Sequence, residues 1–78
     1  LIIENCLVQN CTGRGIYVHG NNSKVNNCTI MNNGVGIFIG TTANNVIIDG
    51  CHISGNTTQI SDNGTNTILG ANYIEGAI

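Results

Sequence analysis

Val25 to Gly40 reads VNNCTIMNNGVGIFIG, and three weaker copies of it occupy the rest of the 78-residue chain. Cys6, Cys28, Cys51 and Asn72 share one phase, at successive spacings of 22, 23 and 21 residues. Ile3, Val25, Ile48 and Leu69 keep those spacings, and so do Val8, Ile30, Ile53 and Ile74. Self-similarity at a fixed period is the mark of a stacked repeat, in which one unit cannot bury its apolar face without the next. Within each copy the apolar residues alternate in short period-2 runs bounded by Asn, Gly or Thr, which predicts three brief strands and leaves no room for a helix.

The copies divide the chain into coils 1–23, 24–45 and 46–67 and a partial coil 68–78, a single segment of about three and a half coils of about 22 residues. In the second coil Val25, Cys28 and Ile30 point one way, Asn32-Asn33-Gly34 turns the chain, and Ile37 and Ile39 supply the next inner face. Thr41 to Asn45 reads as a polar loop. Asn and Gly tolerate the left-handed backbone that such bends need. In the third coil Asp62 stands where Val18 and Ile39 stood, inside a Ser61-Asp62-Asn63-Gly64 turn signal. That predicts a strand that stops early, with the carboxylate bonded to nearby amides.

Net charge is −2 and only 8% of residues are charged, so no field is present to steer nucleic acid or anionic lipid. Fourteen Asn, eleven Gly and no Pro would suit a disordered tract, but thirteen Ile in regular phases argue for a packed interior. No window approaches the roughly 18–20 apolar residues of a membrane-spanning helix. The chain opens inside a strand-like run, Leu1-Ile2-Ile3, and stops in mid-phase at Ala77-Ile78. It therefore reads as a piece of a longer protein, toward its C-terminal coils, with neighbouring coils as its first expected partners and open ends prone to associate.

A period near 22 also lies in the leucine-rich-repeat range, but Leu occurs only at 1, 7 and 69. The runs do not keep a six-residue rhythm either. What remains is an all-β solenoid, a parallel β-helix whose coils stack at about 4.8 Å. Ile3-Glu4-Asn5-Cys6-Leu7-Val8 with Gly15-Ile16-Tyr17-Val18, and again Val25–Ile30 with Gly36–Ile39, resembles the right-handed parallel β-helix repeats of the pectate-lyase-like superfamily. Ile60 to Ile68 resembles a final-coil segment common in bacterial and phage members. The resemblance implies the right hand and a link to polysaccharides: a polysaccharide-binding or -processing segment, lyase-, hydrolase- or epimerase-like, of a bacterial or phage protein. The same repeats also build surface stalks and phage tail fibres, with a homotrimer as the partner arrangement, and periplasmic NosD-like accessory proteins. An extracellular, cell-surface or virion location goes with the first two.

Chemistry is sparse. Stacked Cys6, Cys28 and Cys51 do not converge tetrahedrally on an ion, so they are expected as buried free thiols, and no metal or cofactor is called for. Asn5, Asn10, Asn27, Asn32, Asn33 and Asn56 suggest amides stacked at turns, each bonded to its copies. Outward columns are expected to run Leu7, Thr29, His52, Tyr73 and, beside them, Gln9, Met31, Ser54, Glu75. His52 and Glu75 would then lie diagonally, a pair suited to acid–base work. Glu4 and Asp49 share a turn phase two coils apart, roughly 10 Å, near the separation of the two carboxylates of an inverting glycosidase. Arg14 and Lys24 are the only candidates for a lyase base, and they lie in different phases. Tyr17 and Phe38 should be outward neighbours that, with Tyr73, could hold sugar rings. Ile2, Ile47 and Ile68, interrupted by Lys24, form an outward apolar stripe that suggests cover.

Overall fold

The computed structural model describes residues 1–76. Eleven strands follow in order: β1 (Ile2–Glu4), β2 (Leu7–Gln9), β3 (Arg14–Val18), β4 (Lys24–Asn26), β5 (Thr29–Met31), β6 (Val35–Ile39), β7 (Asn44–Asp49), β8 (His52–Ser54), β9 (Thr58–Asp62), β10 (Thr65–Leu69) and β11 (Tyr73–Ile74). Every third strand pairs, in parallel, giving three sheets: β1-β4-β7-β10, β2-β5-β8-β11 and β3-β6-β9. Strands adjacent in sequence lie in different sheets, so the chain winds as a three-sided tube. Residues 77–78 of the expected fourth coil lie outside the described residues.

The register is the one the columns dictate. Ile3 pairs Val25, Val25 pairs Ile48, and Ile48 pairs Leu69. Val8, Ile30, Ile53 and Ile74 align in the second sheet, and Ile16, Ile37 and Ile60 in the third. A one-residue slip would turn every one of these side chains outward, so burial itself fixes the pairing. Val18, Ile30, Ile37, Ile39, Val46, Ile48 and Ile53 are wholly sealed.

The corners explain the Asn content. Among the described residues all seven non-glycine residues at positive φ are Asn, and they fall in three columns: Asn5 and Asn27, Asn10 and Asn32, and Asn22, Asn45 and Asn66. Gly50 continues the first column, and Gly55 and Gly76 the second. One left-handed residue breaks each strand cleanly, and Asn is the side chain that enters that region at least cost.

Four expectations need correction. The buried asparagines do not bond each other through their side chains: Asn33 Oδ1 accepts from the Cys11 N–H (3.0 Å) and Asn56 Oδ1 from the Asn33 N–H (2.9 Å), each reaching back one coil. Direct Asn-to-Asn pairs occur instead at the exposed third corner, Asn45 to Asn22 and Asn66 to Asn44. Strand β9 does not stop early, because Asp62 keeps its pairing with Ile39 while its carboxylate accepts from the Gly64 N–H at 2.9 Å. Strand β7 begins at Asn44, inside the expected loop. Finally, only Cys28 and Cys51 are buried; Cys6 and Cys11 are exposed, beside strands β1, β2 and β3, each of which ends its sheet among the described residues.

Candidate functional site

The interior is packed mainly with Ile and Val, so the acids, histidines and aromatic rings lie on outer faces and corners. On the third sheet Tyr17 pairs Phe38 in register, and both side chains alternate outward from the buried Ile and Val. Their rings meet edge to face, 5.2 Å between centroids at 86°. The Arg14 guanidinium lies 4.1 Å from the Phe38 centroid and 4.9 Å from that of Tyr17, and His19 packs against Tyr17 at 5.3 Å. Tyr17 leans over Gly40, where a Cβ would come within 3.1 Å of the ring. The result is a patch with one well-exposed aromatic ring, Tyr17, flanked by a guanidinium and an imidazole.

Tyr17 and Phe38 stand together as the spacing predicts. Arg14 and His19 as their partners were missed, since strand alternation gives no signal for long side chains at strand ends. On the second sheet Leu7, Thr29, His52 and Tyr73 form the expected column. His52 stacks on Tyr73, centroids 4.7 Å apart and 31° between planes. No hydrogen bond or ion pair joins His52 to Glu75 among the described residues, and Ser54, expected on the surface, is buried. Glu4 pairs Asn26, which pairs Asp49, so the two acids do share a column. Asp49 Oδ1 accepts from the Ala71 N–H at 2.8 Å, which turns the carboxylate away from Glu4 and toward the following coil.

An open groove of about 430 Å³ runs along the corner between the second and third sheets, past Asn10, Thr12, Asn32, Gly34, Gly55 and Thr57. None of the acids, histidines or aromatic residues considered above lines it; its walls are turn residues, asparagine amides, two threonines and Cys11. The apolar stripe is real: Ile2 and Ile68 are 66% and 59% exposed, with Ile47 and Lys24 between them. Among the described residues no three His, Cys, Asp or Glu side chains converge as a ligand set. Nor is any helix long and apolar enough to cross a membrane.

Burial pushes the Cys51 thiol above its ordinary pKa; the Cys28 backbone opposes that shift, and the neighbouring Cys28 and Asp49 side chains reinforce it. A thiol that keeps its proton longer when folded lends stability that is complete below its unfolded pKa and is lost as pH rises through the folded one. The urea midpoint should therefore fall further between about pH 7 and pH 11 for the parent chain than for Cys51→Ala. Equal falls would show that the thiol is not desolvated.

A family model described as "Right handed beta helix region" matches residues 1–77. No curated protein and no solved structure matches the chain.

Proposed function

This chain belongs to the right-handed β-helix family, and from that premise we propose that it binds an extended polysaccharide along the outer face of its third sheet without cleaving it. The carrying observation is the exposed Tyr17 ring held between Arg14 and His19. An aromatic face takes the apolar C–H side of a sugar ring, while the guanidinium over one face of Tyr17 and the imidazole beside it are nitrogen donors suited to ring hydroxyls. Phe38 supports Tyr17 rather than offering a face of its own, because it is the less exposed ring and Arg14 lies closer over it, 4.1 Å against 4.9 Å. Tyr73, carried on His52, is a second exposed ring on the neighbouring sheet. Asp49 and His52 are not set as a cleaving pair, since Asp49 accepts from the Ala71 N–H and His52 stacks on Tyr73. An extracellular, surface or virion location suits such a ligand.

A glycan-array screen followed by titration tests this. Tyr17→Ala should weaken binding about tenfold or more, the loss of one aromatic contact of roughly 1.4 kcal/mol. Undiminished binding by Tyr17→Ala and Arg14→Ala, or no glycan bound at all, would leave the second reading, a structural segment of a stalk or fibre. The use of Asp49 and Asp62 to bond turn amides favours that alternative.

A further inference from the structure

The column of Cys6, Cys28 and Cys51 repeats its contacts from coil to coil. Each Sγ donates to the carbonyl two residues earlier: Cys6 to Glu4 at 3.2 Å, Cys28 to Asn26 at 3.4 Å, Cys51 to Asp49 at 3.5 Å. Cys28 and Cys51 also reach a carbonyl of the preceding coil, Ile3 and Val25, each at 3.7 Å. Side chains with the same partners in the same register share one orientation, so successive sulfurs are offset by the coil spacing, about 4.8 Å. That offset is poor for a disulfide, whose Cβ atoms sit about 3.8 Å apart. It is equally poor for a tetrahedral ion, since no third ligand converges among the described residues.

Two-coordinate binding has a different requirement. A metal–thiolate bond is about 2.3 Å, so two thiolates in line through one ion lie about 4.6 Å apart, within a few tenths of an ångström of the column spacing. We propose that this column takes a soft, thiophilic d10 ion of the Cu(I), Ag(I) or Hg(II) class, held linearly between sulfurs of adjacent coils, with Cys28 common to both available pairs. Thiolate ligands select such ions over harder ones. Two S–H bonds break, two S–metal bonds form and two protons leave, with no change of oxidation state. A divalent ion gives an uncharged complex, which suits an apolar interior better than the anion left by a monovalent one.

The test is an ultraviolet titration of the reduced chain with Hg(II) in the presence of a monothiol competitor, with proton release followed alongside. One tightly held ion and about two protons per ion are expected. Cys28→Ser leaves Cys6 and Cys51 two coils apart, roughly 9.6 Å, and should weaken binding about a hundredfold. Cys6→Ser and Cys51→Ser each keep one adjacent pair and should bind nearly as well as the parent, and Cys11→Ser should change nothing. The double variant Cys6→Ser with Cys51→Ser keeps Cys28 yet has no pair, so it should lose binding like Cys28→Ser, and circular dichroism shows whether each variant is folded. Tight binding retained by a folded Cys28→Ser or by the double variant, or lost in Cys11→Ser, overturns the proposal.

Discussion

Asn56→Ala is expected to lower the unfolding free energy by about 3–5 kcal/mol, more than any exposed substitution in the chain. Asn56 is 7% exposed, and its amide serves three groups at once. Its oxygen accepts from the Asn33 N–H at 2.9 Å, and its nitrogen donates to the Ile30 carbonyl at 3.2 Å and to Gln59 Oε1 at 2.8 Å. Alanine removes all three bonds at a buried position. An orphaned buried donor costs about 1–3 kcal/mol, and Gln59 Oε1 loses its donor as well, though its Nε2 still bonds the Asn56 backbone carbonyl. Gln59 in turn bonds the Glu75 carbonyl at 3.1 Å, so the damage spreads into the following coil. Asn44→Ala is the control: its oxygen accepts from Asn66 Nδ2 at 3.0 Å in an exposed pair, and water can substitute. It should cost about 0.5 kcal/mol. Urea denaturation of both variants decides the matter, and equal losses would mean that the Asn33–Asn56 ladder is no stronger than a surface amide pair.

The same contrast marks what the sequence could show. Period and phase were legible because each apolar column recurs at almost constant spacing, and parallel stacking turns such recurrence directly into register. The Ile3 and Val8 columns are found in register as read. What amides do at a corner was not legible. Asn27 and Asn33 look alike in sequence, yet Asn27 is a left-handed corner residue whereas Asn33 is buried and bonds two backbone groups of the preceding coil. Side-chain reach escaped for a similar reason. Nothing in the spacing of Arg14 and Phe38 announces that the guanidinium lies on the ring, because that contact crosses between coils and depends on rotamers. Asp49 shows the same limit from the other direction: its phase placed it in a column with Glu4, but its direction was set by the free N–H of Ala71.

Gly34→Ala should destabilise the chain by about 3 kcal/mol, whereas Gly13→Ala should be neutral or stabilise it by about 0.5 kcal/mol. Neither glycine has positive φ, so conformational freedom does not separate them. Space does. A methyl at Gly34 would collide with the Thr12 carbonyl oxygen and come within 2.8 Å of that of Gly13, both of them backbone atoms of the coil before. Backbone cannot rotate away as a side-chain tip can, so the two coils must part there. Parting them strains the Gly34 N–H to Cys11 carbonyl bond (2.9 Å) and the Val35 N–H to Gly13 carbonyl bond (3.0 Å) that knit β3 to β6. A methyl at Gly13 meets nothing within 4 Å, and there the substitution only reduces the freedom of the unfolded chain. Chemical denaturation of the two variants side by side is a direct measure of how closely the coils approach at this corner. A Gly34→Ala variant as stable as Gly13→Ala would mean that the coils have slack here. The inter-coil spacing that sets the sulfur column and the Tyr17 patch would then be looser than the register demands.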